Sequence, residues 1–461
     1  MAFNIEDEIS LAHLYGNKSE DIKVFNGDEK KLVGFLGQSI YFLKYVFLNF
    51  SLKFQSLERR EVFFYSETNN QFDSLKSTVR SLDDMSISNV VFLDKRIDSD
   101  RVKEIGSHRV VKFDFFIVLF AMLLFFLRSV PLYLKLKRSG KVVAIRSHFG
   151  IFCRAYLYVP YFMKVLLLSR PKLIVMTNDH NVSNRSLRLA AEVLGIKTLY
   201  MQHASVSNLF PPLEFDYALL DGQVSLDRYN ECFDMAKEKP LRLLRNIRKC
   251  HVLLSGQKKT IEKRKGSNER AVGIAVNKLD DFKNVEELVF KLIRFGKDCF
   301  IRTHPSQPSK FIDKIKKMSE ENINVFFSDS RIEDLTEYFL KINSLISGDS
   351  SIHIEAALTG MPTFYYEMSD DIYQSDYYGY VKNGVSYYLD YGFELKDLDL
   401  KENDARSFSI KRYSESYNTK WQNREGVLSA LVIFRILDGE DFFDFFTCIE
   451  NNLYQSVAYL K

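Results

Sequence analysis

Between Cys299 and Glu367 the chain sets an arginine, a histidine, a serine pair and a glutamate at spacings suited to holding a phosphate and a ribose. Phe300 and Ile301 read as the end of a short buried strand. Arg302, Thr303 and His304 therefore leave the carboxyl edge of a sheet, and Pro305 turns the chain. That edge is where open α/β sheets take ligands. Further on, Ser344–Ile346 reads as another strand, Gly348-Asp349-Ser350-Ser351 as a polar turn, and Ile352–Leu358 as a helix beginning on it. A serine pair there can cap the helix and also donate hydroxyls to an anion at its positive end. Glu355 falls one turn into the helix on the face of Ser351, placed for a ribose hydroxyl. Gly360 is the expected left-handed stop, and Pro362 opens a strand over Thr363–Tyr366. Alone, each piece is an ordinary turn or N-cap; their order is what joins them.

In that order the motifs resemble those of bacterial nucleotide-sugar glycosyltransferases that build capsule and lipopolysaccharide, including bacterial sialyltransferases, capsule Kdo transferases and the related teichoic-acid polyol-phosphate transferases. The resemblance covers the C-terminal half and residues 172–222. It implies the GT-B fold: an α/β protein of two Rossmann-like doubly wound domains facing across a cleft. It also implies that His304-Pro305 and Ser350-Ser351 contact the phosphate of the donor nucleotide, and that the reaction is an inverting displacement. The nucleotide stays open between CMP and UDP or GDP.

Two more polar clusters close strands in the first half, Asn178-Asp179-His180-Asn181 and Gln202-His203-Ala204-Ser205. Asn181 and Ser183 read as caps of the helix that follows. The stretch MQHASVSNLFPPLEFDYALLDG resembles the glutamine-histidine loop of the capsule and teichoic-acid transferases, with Ala204 where those families have glycine. Leu220-Asp221-Gly222 is similar to the acidic-acidic-glycine motif of sialyltransferases, whose second acid is the base, with Leu220 at the first acidic position. An acceptor hydroxyl needs a base, and His203, with an unperturbed pKa near 6.5, is the expected one; Asp179, His180 and Asp221 stand in reserve.

Positioning these residues requires alternating strands and helices. Glu61–Tyr65, Val90–Leu93, Lys141–Ile145, Lys172–Met176 and Lys197–Met201 read as strands, with helices over Gln71–Leu82, Tyr161–Leu168 and Ser183–Leu194, and Gly195 as a stop. From Gly256 to Arg270 periodicity vanishes and charge rises, as in an exposed linker. Ala271–Val276 then opens a second run, with Gly273 and Asn277 expected near its sheet edge beside the donor. Helices are expected over Asn284–Phe295, Phe311–Met318 and Glu333–Ile342, with a strand at Asn324–Phe327. The expected division is an acceptor-side domain over 1–255, a linker over 256–270, a donor-binding domain over 271–423 and a helical tail over 424–461. The Tyr- and Asp-rich SDDIYQSDYYGYVKNG reads as a loop over the cleft, and Arg424–Leu437 as a helix.

A chain of 461 residues exceeds the size at which one core stops growing, and 46% hydrophobic with 27% charged residues is ordinary for a folded protein. A net charge of +4 with no recognition-helix or single-strand pattern excludes nucleic acid as the expected partner. Five scattered cysteines without a CxxC, and an acidic N-terminus without an apolar h-region, point to a reduced, cytoplasmic protein. Asp98-Ser99-Asp100 and Asp397-Leu398-Asp399 match the DxD of metal-dependent transferases, but neither sits in a donor loop, so no metal and no cofactor are expected. The apolar block Phe115–Leu127, about thirteen residues before Arg128, is shorter than the roughly 20 of a spanning helix. With Lys135, Lys137, Arg138 and Lys141 behind it, it reads as a core helix, as a dock on the inner face of the plasma membrane or, least of the three, as a span. A second block, Val33–Phe54, is interrupted by Gln38, Lys44, Asn49 and Lys53. The function expected is sugar transfer from a nucleotide-sugar to a surface polysaccharide or its lipid-linked precursor. The alternatives are a polyol-phosphate transferase, a nonhydrolysing UDP-sugar 2-epimerase and a noncatalytic polysaccharide-binding protein.

Overall fold

The computed structural model describes residues 5–6, 34–52, 57–103, 105–138, 142–208, 210–237, 250–256, 270–369, 375–399, 404–417, 419, 421–439 and 454–457. The linker expected over 256–270 lies almost wholly outside the described residues, as do Lys53, Lys141 and Cys448. Described residues up to Gly256 and from Trp421 onward form one compact unit, and those from Arg270 to Thr419 another.

The first unit is built on seven parallel strands: β1 (Val62–Ser66), β2 (Asn89–Leu93), β3 (His108–Val110), β4 (Leu173–Met176), β5 (Lys197–Met201), β6 (Tyr217–Leu220) and β7 (Cys250–Leu254), in the order β3-β2-β1-β4-β5-β6-β7. In β1 (VFFYS), β2 (NVVFL) and β4 (LIVM) every residue is buried, as a parallel strand covered by helices on both faces requires. The second unit repeats the plan with β8 (Ala271–Ala275), β9 (Asp298–Thr303), β10 (Val325–Asp329), β11 (Ser344–Ser347), β12 (Thr363–Tyr366) and β13 (Tyr387–Leu389), in the order β10-β9-β8-β11-β12-β13. Both are Rossmann-like doubly wound sheets. In each the strand order reverses once, between β1 and β4 and between β8 and β11, and those two points are where a doubly wound sheet binds ligands.

The C-terminal segment belongs to the first unit. Helix Glu425–Asp438 buries Leu428, Val432, Ile433 and Ile436 against Phe72, Leu75 and Val79 of helix Asn69–Asp84, and Tyr454–Val457 (β14) pairs antiparallel with β7. The two helices meet at Gly426, where a Cβ would stand 2.6 Å from the Ser77 backbone. Gly426→Ala should therefore cost about 1–3 kcal/mol, read as a lower midpoint in chemical denaturation; an unchanged midpoint would show the close approach to be unimportant.

Three expectations need correcting. Residues Val142–Ile145, expected in a strand, open helix Val142–Phe152. A short β-branched run does not distinguish strand from buried helix, and tertiary contact decides here. Gln38 of helix Phe35–Leu48 donates to the Arg146 carbonyl (2.6 Å) and accepts from the Gly150 N–H (2.8 Å), fixing the two helices together. The apolar block at Phe115 continues through Arg128 and Pro131 to Arg138, giving a helix of 24 residues, because a single charge on an exposed face ends no helix. By length and composition it is one of two helical segments among the described residues that could cross a membrane, the other being the apolar stretch His148–Ser169. Finally, Gly273 lies mid-strand in β8, away from the edge. Its missing Cβ makes room for the Tyr338 hydroxyl and the Ile342 side chain, so it is a packing glycine.

Candidate functional site

In the first unit, strand ends bring the expected residues to one carboxyl edge: Asp179 and His180 after β4, His203 after β5, and Asp221 after β6. The order of the strands places them side by side, with β4 at the switch point. Asn178 shapes the first of these turns, its Oδ1 accepting from the N–H groups of His180 (3.0 Å) and Asn181 (2.8 Å), an Asx turn. The turn presents His180 with Nδ1 2.7 Å from Asp179 Oδ1. Asp179 is buried, and its second oxygen accepts from the Tyr229 hydroxyl at 2.9 Å, with Tyr200 another 3.0 Å on. Because a carboxylate only accepts, Nδ1 carries a proton, and in the neutral tautomer that this fixes Nε2 is the acceptor. The Asn178 amide, 3.4 Å from Nε2, agrees with that tautomer, and the ring leans on Phe210 at 4.7 Å. This is how a histidine base is oriented.

His203 is half-buried on the neighbouring loop. That loop is tied down by Gln202, which donates to the Ala204 carbonyl (2.9 Å) and accepts from the Asp221 N–H (3.0 Å). Across the switch point stands a group that sequence reasoning did not single out. Glu67, just past β1, accepts from Asn181 Nδ2 (2.8 Å) and Ser183 Oγ (2.7 Å) and pairs with Arg96, whose Nε donates to Asp94 at 2.8 Å. Asn181 and Ser183 thus bind Glu67 where helix caps were expected; the helix itself has no side-chain cap at Asn181. The only signal for Glu67 is its place directly after a short strand, Val62–Ser66, rich in bulky apolar residues.

In the second unit, His304 and Pro305 follow β9, Asn277 follows β8, and Ser350 and Ser351 follow β11. Pro305 takes the second place of a turn in which the His304 carbonyl accepts from the Gln307 N–H at 2.9 Å. The same turn aims the Ser306 N–H at His304 Nδ1 (3.0 Å). Nδ1 is then an acceptor, and Nε2 carries the hydrogen that an exposed ring can donate to an anion. Partial desolvation of the ring by its surroundings, and then the positive charge of Lys278, lower the His304 pKa from its usual value, so the ring is mostly neutral near pH 7. Lys278, exposed one residue after Asn277, was not anticipated and brings the charge expected of Arg302. Arg302 itself is buried. It donates to Ser328 Oγ (3.1 Å) and the Glu333 carbonyl (2.9 Å) and lies over the Tyr338 ring at 5.2 Å, which makes it an internal strut.

Asn277 bridges the second switch point. Its N–H donates to Asp280 Oδ2 (2.7 Å), and its Nδ2 donates to the Asp349 carbonyl (3.2 Å). Ser350 Oγ accepts from the Ile352 N–H at 3.4 Å, while Ser351 makes no side-chain cap. Buried His353 bonds the Gly348 carbonyl (2.9 Å) and Ser386 (3.1 Å) and so pins the turn from behind. Glu355 is buried on the first turn of the helix, and Gly360 ends it at φ +89° as expected. Beside Asn277, burial pushes Asp280 up to about 8 and Asp349 up to about 7, each helped by the charge of Glu367.

The two DxD triplets are local caps: Asp98 accepts from the Asp100 N–H, and Asp397 from the Glu394 N–H. Among the described residues no group of three or more His, Cys, Asp or Glu could hold a metal ion.

No family model matches the chain, and no curated protein does. Among solved structures it is similar to CalG4, a calicheamicin glycosyltransferase, at 9% identity over 85% of this chain and 99% of that one, with a TM-score of 0.47. It is similar to S. aureus MnaA with UDP, at 10% identity over 87% and 100%, with a TM-score of 0.46. It is also similar to a Neisseria meningitidis UDP-GlcNAc 2-epimerase bound to UDP-GlcNAc, at 13% identity over 82% and 99%, with a TM-score of 0.44. Both sheets have doubly wound strand order.

Proposed function

We propose that this chain is a glycosyltransferase that moves a sugar from a nucleotide-sugar to a hydroxyl of a bacterial surface polysaccharide or its lipid-linked precursor. The observation that carries the reading is the Asp179–His180 pair at the first switch point, 2.7 Å apart, with the imidazole tautomer set for proton abstraction. His180 thereby displaces His203 as the preferred base. The second unit holds the nucleotide through the His304 N–H, Lys278 and the Ser350-Ser351 turn. The acceptor oxygen attacks the anomeric carbon as its proton passes to His180 Nε2, and the bond to the nucleotide phosphate breaks with inversion. The leaving phosphate is stabilised by fixed donors, so no metal is required.

A thermal-shift panel of CMP, CDP, UDP and GDP tests the nucleotide half. One of them at about a hundred times its Kd should stabilise the protein by roughly 2.7 kcal/mol. Transfer from the matching sugar nucleotide, unchanged by EDTA, should follow. No shift with any of the four would overturn the reading, and interconversion of a free UDP-sugar without acceptor would replace it with epimerisation.

A further inference from the structure

Helices Phe35–Leu48 and Phe115–Arg138 touch through the stacked pair Phe42–Phe125 at 4.5 Å and through Phe35 against Tyr133 at 5.2 Å. Each has a buried face and an apolar outer one. On the longer helix Ile117, Ala121, Phe125, Leu132 and Leu136 enter the core of the first unit, while Phe116, Leu119, Phe120, Leu123 and Leu127 are 48–74% exposed. On the shorter helix Leu36, Ile40 and Phe47 are 64–77% exposed. Apolar surface of this extent on a folded domain marks an interaction face.

The charges decide the partner. Neither helix contains an acidic residue, and both carry only positive ones: Lys44, Arg128, Lys135, Lys137 and Arg138. Arg128 is neutralised by Glu6 at 2.9 Å, which leaves the exposed cluster Lys135, Lys137 and Arg138 on the last turn. We infer that this face docks in the plane of an anionic lipid bilayer, with the aromatic and leucine side chains entering the acyl boundary and the lysines meeting phosphate headgroups. A second copy of the chain would bring like charge to like charge. A spanning arrangement of the longer helix would strip Phe125, Leu132 and Leu136 from the core they complete.

The test is flotation of the full chain with vesicles of phosphatidylcholine containing about 30% phosphatidylglycerol, beside pure phosphatidylcholine. Wild type should bind the mixed vesicles at least about tenfold more tightly than the neutral ones, and salt should weaken the difference. Leu119→Gln/Phe120→Gln/Leu123→Gln should lose about tenfold or more, and Lys135→Glu/Lys137→Glu about tenfold on the mixed vesicles only. A wild-type circular-dichroism spectrum is required of each variant; should the triple variant misfold, the charge-reversed variant decides alone. Equal binding by wild type and variants, or none by wild type, overturns the proposal. So would a concentration-dependent dimer abolished by the triple variant, or resistance to carbonate extraction, which would mark a second copy or a spanning helix.

Discussion

His180→Ala is expected to leave nucleotide affinity near the wild-type value while sugar transfer falls about a hundred-fold or more, the usual contribution of a general base. The affinity is spared because His180 stands at the end of β4, in the unit other than the one that carries His304 and Asn277. Asp179→Asn sharpens the test. An amide in place of the carboxylate can donate to Nδ1, which would turn the imidazole so that Nε2 carries the hydrogen and can no longer take the acceptor's proton. Loss of transfer with normal nucleotide binding is expected there too. His203→Ala should cost less. If it abolishes transfer while His180→Ala keeps full turnover, the base lies one loop further along the sheet edge. Abolition by Asp221→Ala alone would move it to β6.

How much of this could be read from the residues depends on how local the signal is. The polar turns after β4, β5, β9 and β11 were legible because each follows a short apolar run, and the stop at Gly360 was legible because a left-handed residue favours glycine. Glu67 and Lys278 were not, since a single charged residue beyond a strand has no motif around it. Arg302 was misplaced for a different reason. Its strand position was right, but where a long side chain points is set by partners distant in sequence, here Ser328 and Glu333. Gly273 shows the same limit, its neighbours Tyr338 and Ile342 arriving from a helix some 65 residues later. The Val142–Phe152 helix was missed because β-branched residues dominate its first turn, while the contacts that hold it, such as Gln38 on Arg146 and Gly150, come from a helix about a hundred residues earlier.

In the second unit, His304→Ala should weaken nucleotide binding about ten- to a hundred-fold, the equivalent of the roughly 1.5–3 kcal/mol of one hydrogen bond to a charged group. The Pro305 turn makes this residue specific. With Ser306 N–H on Nδ1, the ring donates only through Nε2, and His304→Gln, which can place an amide N–H near that point, should recover part of the loss. Arg302→Ala should behave differently, lowering stability by breaking the contacts to Ser328 and Glu333, with nucleotide affinity following only as far as folding does. The pH dependence adds a sign. His304, held below its usual value, is mostly neutral near pH 7 and adds little slope above it. Asp349, raised to about 7, and Asp280, raised to about 8, are neutral below those values and become anions as pH rises through them. Negative charge then grows beside Asn277, so affinity for a nucleotide diphosphate should fall between pH 6.5 and 9, and Asp349→Asn should flatten the lower part of that decline. Titration calorimetry across this range reads both effects. An affinity that climbs with pH, or a His304→Ala protein that binds every nucleotide as the wild type does, would remove the phosphate from this edge of the sheet.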